Sequence, residues 1–575
     1  MNQVEVFRGP HASVYGSSSL AGLVNVRSND PESVSSGKLR LSAGNDDMRT
    51  IEFSATGPLL EEDPGKLTWR LSALKHDSDG FRENVYLNRD DTNGKDELLI
   101  RGKLRWLPQP DLSFDLTLIH GDMDNGYDAW SPLNGLTMYS DRPGKDSEEV
   151  FGSSIRTSWR GNDAFELLSI TSYVDIDLQH SYDGDWGNND FWAAEPYNWD
   201  SAAEGYDYDF FDNLLRNRQT ISQEFRLISS TEVDTGTKQA SWVVGLYYKD
   251  LEESDDYNGW SLLQSDYDAR NLAVYGEKVV PLSDRSAFSL SLRVEDQKTS
   301  YSDDQGVAFS LSETMVGGRA LIDYQWSEEI NLFTSASRGF KSGGFNQDAG
   351  LPEDRRGYDA EYLWNFEGGL RGSFLGGTLA TNVTAFYMLR EDMQISTSFQ
   401  DDPLNPSSFL FYTTNAASGT NYGVEAEVNW SVSSRLSLFA NLGLLETKFD
   451  SYETAGGTNA LEGREQPHAP NYSYFAGFQF TDPDGFFLRG EITGKDDFYF
   501  SDSHDQQSSA YSLVNSRIGY RFDRWVITLW GRNLFDEEYD VRGFYFGLEP
   551  PNYSSTLYRH IGDPRQFGVT LEFDF

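Results

Sequence analysis

The sequence predicts an all-β chain, a transmembrane antiparallel β-barrel of about 22 strands. Three observations predict it. Apolar and polar residues alternate with period two in one stretch after another. Short and long connections alternate between those stretches. No apolar run approaches the roughly 18 residues that a membrane helix needs.

The alternation recurs along the whole chain. Leu67, Trp69, Leu71 and Ala73 share one face, with Thr68, Arg70 and Ser72 on the other. Leu112, Phe114, Leu116 and Leu118 alternate with Ser113, Asp115 and Thr117. Phe288, Leu290, Leu292 and Val294 alternate with Ser289, Ser291 and Arg293, and Val424, Ala426, Val428 and Trp430 repeat the pattern. Strands of this kind have one greasy and one polar face. Short connections include 108–111, 161–163, 375–377, 431–434 and 482–485. Long ones cover roughly 77–96, 121–150, 178–215, 251–268, 339–360, 394–415, 450–469 and 540–562. Tight turns at one end and long loops at the other are the asymmetry of a bacterial outer-membrane barrel. A soluble propeller would show a fixed repeat of about 40–50 residues, and none is found. Phe567, Val569, Leu571, Phe573 and Phe575 alternate to the last residue, as a closing strand would.

Composition agrees and sets limits. The 575 residues exceed one ordinary soluble core and include 52 Gly, 31 Tyr and 37 Phe, which favour strands and turns. The formal net charge of -44 offers no basic surface for nucleic acid. The absence of Cys excludes disulfides and Cys-ligated zinc. The seven His are scattered without ligand spacing, and no P-loop or nucleophile elbow occurs, so no enzyme and no cofactor is predicted.

Several segments resemble TonB-dependent outer-membrane receptors. Residues 4–26, Val-Glu-Val-Phe-Arg-Gly-Pro-His-Ala-Ser-Val-Tyr-Gly-Ser-Ser-Ser-Leu-Ala-Gly-Leu-Val-Asn-Val, are similar to the end of that family's plug. Ser335–Asn346 and Tyr422–Glu427 resemble recurrent barrel segments, and Trp530–Tyr539 resembles the penultimate-strand signature. The resemblance implies a monomeric receptor in outer-membrane lipid and lipopolysaccharide. It would take up a scarce nutrient, most often a ferric siderophore complex, with energy delivered by TonB. A glycan or another organic ligand is the alternative cargo. The segment Gly339–Phe345 is not a haem receptor's motif, which disfavours haem.

The resemblance further implies that residues 1–33 are the C-terminal remnant of a plug and 34–575 the barrel. Most of the plug, the TonB box and a signal peptide are missing from the sequence. TonB is therefore expected as a partner only of a full-length form, and a passive or non-functional barrel is a further alternative.

Two sets of residues are candidates for function. Glu425 and Glu427 alternate with outward Val424, Ala426 and Val428, so they face the lumen. Arg8, in the plug remnant, is expected to pair with one of them and latch plug to barrel. The connections 121–150 and 178–215 are rich in rings, and Trp130, Tyr139, Trp186, Trp192, Tyr197 and Trp199 are the candidates for a ligand-capturing rim. Such rings can equally pack on one another. Asp122-x-Asp124-x-Gly126 and Asp183-x-Asp185-x-Gly187 resemble only the first half of a calcium loop, so no metal is assigned.

Overall fold

The computed structural model describes residues 2–16, 19–230, 241–259, 261–347, 350–400, 409–453 and 461–575. Parts of the predicted connections 251–268, 339–360, 394–415 and 450–469 lie outside the described residues. The wall is a single closed antiparallel barrel of 22 strands. Its first strand, Ser36–Gly44, meets its last, Gln566–Asp574, in a register running from Lys38↔Asp574 to Gly44↔Gly568. Phe575 exchanges two backbone hydrogen bonds with Gly37, of 2.8 and 2.9 Å.

The alternation points the way the sequence predicts. Leu290, Leu292 and Val294 are 52, 54 and 41 % exposed, whereas Ser291, Arg293 and Glu295 are 5, 2 and 2 % exposed. Apolar outside and charged inside is the arrangement that lipid requires, because the wall's outer face has no water to satisfy polar groups. Trp106, Trp159, Trp326, Trp430, Phe522 and Trp525 are exposed and sit within a few residues of the short turns. They form an aromatic girdle at that membrane interface.

At the opposite end the strands run longer than expected. The predicted connection 251–268 is mostly strand: Ser241–Asn258 pairs with Leu262–Ser283 from Ser241↔Val279 to Asn258↔Leu262. Segments 121–127, 178–183, 394–400 and 409–415 likewise continue the wall. A membrane crossing takes about 9–11 residues, yet Phe409–Ser431 has 23. The surplus stands clear of lipid, where neither face need be apolar. The run Glu252-Glu253-Ser254-Asp255-Asp256 therefore keeps strand geometry without strand-like alternation. By the register, Asp122, Asp177 and Asp266 lie on the outer face of these extensions.

Inside the lumen lies a small body made of β1 (Gln3–Arg8), α1 (Ala12–Tyr15) and β2 (Gly22–Arg27). The strands pair from Gln3↔Arg27 to Arg8↔Gly22. α1 packs on the inner faces of four neighbouring barrel strands, Leu262–Ser283, Ser286–Asp303, Ala308–Gln325 and Ile330–Lys341. The segment that follows is tied to the wall as well. Lys103 Nζ donates to the carbonyls of Ser28 and Asn29 at 3.3 and 3.1 Å, and Asp30 bridges Lys103 and Arg105.

Candidate transport lumen

Arg8 ends β1, and its Nη1 lies 2.8 Å from Glu425 Oε2, with Nη2 3.8 Å from Glu427 Oε2. The expected pairing is therefore present in geometry. The Arg8 and Glu425 side chains are 42 and 34 % exposed to the lumen. A wet pair of this kind contributes about 0.2–1 kcal/mol, well below a buried one. Arg8→Ala should loosen β1 and β2 by no more than about fivefold in amide hydrogen exchange. A change of a hundredfold would show that the pair is stronger than its exposure allows.

A second, drier contact was not singled out in the sequence. Arg293 Nε donates to Glu295 Oε2 at 2.7 Å, and their side chains are 2 and 3 % exposed. The Arg293 guanidinium lies 5.4 Å from the ring centres of both Tyr247 and Tyr275. Its Nη1 reaches the Val14 carbonyl at 3.5 Å, and Glu295 Oε1 accepts from Asn271 Nδ2 at 2.7 Å. Gly16 follows α1 with φ +65, and a Cβ there would fall 2.6 Å from Glu295 Oε2. Only glycine can bring the backbone so close in that conformation. Gly9, with φ +69, makes the same kind of approach to Asn365 and Glu367. These contacts make the Arg293–Glu295 pair the seat of α1. Arg-x-Glu in an alternating strand carries no signal that separates a seat from a hydrated wall pair.

The ring-rich connections form a roof at the outer end. Trp192 and Tyr558 are fully buried, and Trp186, Trp199, Tyr208 and Leu548 join them in one apolar cluster. Trp130, Phe191, Tyr197, Phe210 and Phe544 pack around it. Three segments far apart in the chain contribute: 128–143, 184–210 and the hairpin of Asp540–Phe546 with Thr556–Ile561. Trp130 stacks on Trp186 at 5.7 Å, Trp186 meets the Tyr558 edge at 4.8 Å, and Tyr139 lies 4.9 Å from Phe191. Asn134 stitches the hairpin to the roof through the Leu557 carbonyl and the Arg559 N–H.

Of the six candidate rings, Trp186, Trp192 and Trp199 are buried against other rings of the roof: Trp186 against Trp130, Phe544 and Tyr558, Trp192 against Phe191, Tyr197 and Tyr208, and Trp199 against Tyr206, Tyr208 and Tyr553. Trp130, Tyr139 and Tyr197 remain partly exposed. The competing possibility, rings that pack together, describes the first three.

The half-calcium motif at 183–187 organises this roof through backbone N–H groups. Asp183 Oδ1 accepts from the N–H of Asp185 and Trp186, and Asp185 Oδ1 from Gly187 N and Trp192 Nε1. Asp185 Oδ2 accepts from Phe210 N at 2.9 Å. Among the described residues no three His, Cys, Asp or Glu are grouped to hold a metal ion.

Burial, and then the mutual repulsion with Asp185, raises the Asp183 carboxyl to about 9. Burial also raises Asp185. A carboxyl whose pKa is raised on folding weakens the fold as pH climbs from its unfolded value towards its folded one. His560, lowered by burial to about 4, weakens the hairpin only as pH falls below about 6.5. Between pH 6.5 and 9 the Asp183 effect therefore acts without His560. Protection factors of roof amides should fall across that window, and Asp183→Asn should flatten the fall. An unchanged slope in the variant would remove Asp183 as its origin.

Below the roof the lumen holds a cavity of about 1310 Å³. Its upper lining includes Arg82, Ala129 and His560, and its wall carries Arg40, Glu52, Arg489, Glu491, Arg517, Arg532 and Glu572. Arg40 closes on Glu572 and Glu52 at 2.8 and 3.0 Å. A recess of about 200 Å³ opens elsewhere on the inner wall, between Glu253, Asp255, Tyr267, Phe345 and Tyr358. What this arrangement can do is conduct or hold a polar solute inside a lipid-clad wall, with one body seated across part of the passage.

Comparison with known proteins agrees with this architecture. The chain is 22% identical to the pesticin receptor of Yersinia pestis, over all of its own length and 81% of that receptor's. It is also 22% identical to the metal-pseudopaline receptor of Pseudomonas aeruginosa, covering 80% of it. The crystal structure of the ferric yersiniabactin uptake receptor of Yersinia pestis superposes with a TM-score of 0.82 at 20% identity. That match covers all of this chain and 85% of that one, and shows the fold. The family described as TonB dependent receptor-like, beta-barrel, matches residues 105–534. With a closed 22-strand wall, an inward charged face and a body seated in the lumen, the chain belongs to the TonB-dependent receptor family of outer-membrane β-barrels.

Proposed function

We propose that this protein takes up a ferric siderophore complex across the outer membrane, with energy delivered through TonB to the full-length form. The observation that carries the reading is the body β1–α1–β2, held inside a closed lumen by a wet latch at Arg8 and a dry seat at Arg293. A passive pore needs no such body. A gated one needs a body that is attached firmly at one place and loosely at another. Residues 1–33 act as plug and 34–575 as barrel in this reading. Arg8, Glu425 and Glu427 are the releasable latch, and cargo meets the partly exposed edges of Trp130, Tyr139 and Tyr197. The names of a metal-pseudopaline receptor, a ferrioxamine receptor and a ferric yersiniabactin uptake receptor among the relatives favour iron over glycan.

The test is uptake of radiolabelled iron, presented as ferric siderophores, by cells lacking their own siderophore receptors and producing this protein. Accumulation above the empty strain that disappears when TonB is deleted is the expected result. Accumulation that persists without TonB would make the protein a passive pore. None with any ferric chelate would end the iron reading.

A further inference from the structure

A closed barrel has no free edge where it crosses lipid. Beyond the lipid this wall has one. Strand Ala308–Gln325 pairs with Ile330–Lys341 only from Gly318↔Arg338 to Gln325↔Asn331. On its other side it stays paired with Ser286–Asp303 as far as Ser302↔Ala308. Among the described residues, the stretch from Ala308 to Gly317 therefore has a ladder partner on one side alone. That stretch lies at the outer end. Counted from Trp326 in the girdle, a crossing of about 9–11 residues is complete near Val316.

The direction of the backbone groups follows from their bonds. The Gln325 N–H donates to the Arg285 carbonyl at 2.7 Å, and the Val307 carbonyl accepts from the Asp303 N–H at 3.0 Å. Odd-numbered residues thus bond back to Ser286–Asp303, and even-numbered residues turn their N–H and C=O to the open side. The Val316 carbonyl agrees, since it accepts from Arg338 Nη1 at 2.8 Å. Ala308, Ser310, Ser312 and Thr314 carry the rest of the row, and all four are exposed. Lys and Pro, the usual guards of an edge, are both missing from 308–316. The neighbouring segment is attached through a side chain instead. Glu313 accepts from the N–H of Gly343 and of Ala360 at 2.8 and 3.1 Å, so those donors go to a carboxylate and not to the row.

We infer that the edge Ala308–Val316 docks an extended strand of an external protein, added antiparallel like every other neighbour in the wall. A row of alternating backbone donors and acceptors recognises a backbone in extended form. The two faces define the sequence that fits it. Outward Ser310, Ser312 and Thr314 favour polar partners, and inward Phe309, Leu311 and Met315 favour apolar ones. A second copy of this chain does not fit. Upright in the same membrane it presents the same strand running the same way, and with tilts of about 35–45° the two strands cross instead of lying side by side. The inference is independent of the uptake reading.

The probe is a fluorescein-labelled nonapeptide of alternating threonine and valine with lysine at its centre. Its anisotropy is followed as the purified chain in detergent is added, with empty micelles as background. In the antiparallel pair the threonines face outward and donate to the row. Methylating the valine nitrogens should leave binding intact, and methylating the threonine nitrogens should weaken it by about tenfold or more. Ser312→Pro removes an N–H that no strand of the wall uses, so an edge strand tolerates it. It should weaken binding to a similar degree, and Ser312→Ala should not. Docking at this edge is overturned if the unmethylated peptide fails to bind at millimolar concentration, or if both methylated peptides bind alike. It is equally overturned if a folded Ser312→Pro binds as wild type does. Should the proline disrupt the barrel, the two methylated peptides on wild type still decide.

Discussion

Arg293→Ala should unseat α1 while leaving the barrel closed. The chain has no cysteine, so Ser13→Cys supplies a single, background-free thiol inside α1. Ser13 is 8 % exposed, and a maleimide should label it slowly while α1 is seated. Removing Arg293 leaves Glu295 buried without its counter-charge, a change that costs about 3–5 kcal/mol. Thiol labelling should then accelerate by about a hundredfold or more. Arg8→Ala in the same background should change it several-fold at most. Gly16→Ala should act in the same direction as Arg293→Ala, because its Cβ would meet Glu295 and its backbone would stay strained. Equal labelling in all three would mean that α1 is held by something other than the seat.

Trp192→Ala should open the roof. The ring is fully buried, lies 4.8–5.2 Å from Phe191, Tyr197 and Tyr208, and donates its Nε1 to Asp185. Truncation creates a cavity and removes one of the three hydrogen bonds to that carboxylate, at a cost of about 3–5 kcal/mol. The roof is assembled from connecting segments rather than a continuous sheet, so the loss falls on a local structure. Chymotrypsin, which cuts beside aromatic residues, should cleave the variant within 184–210 and spare the wild type. The barrel strands should resist in both. A variant as resistant as wild type would show that the three segments hold together without their central ring.

Much of this molecule is legible in the residues because lipid imposes a rule that alternation must obey. Wherever the wall crosses the membrane, as at Phe288–Val294, the pattern gives both strand and orientation. It gives the inward direction of Glu425 and Glu427 for the same reason. The rule lapses beyond the lipid. At Leu251–Asn258 both faces meet water, and the strand reads as an acidic loop. The roof escapes for a different reason. Whether Trp130 presents its face to a solute or to Phe544 depends on where a distant hairpin folds, and no local pattern records that. The seat is harder still. Arg293 and Glu295 differ from other wall pairs only in being covered by α1, which is a fact of topology.

The seam between Ser36–Gly44 and Gln566–Asp574 fixes the order of assembly. The two strands that complete the circle are the earliest and the latest of the wall to be made. Until the final one is available, the leading edge has a row of unmatched amide and carbonyl groups that hydrocarbon will not tolerate. Ring closure is therefore an event that follows synthesis of the last strand.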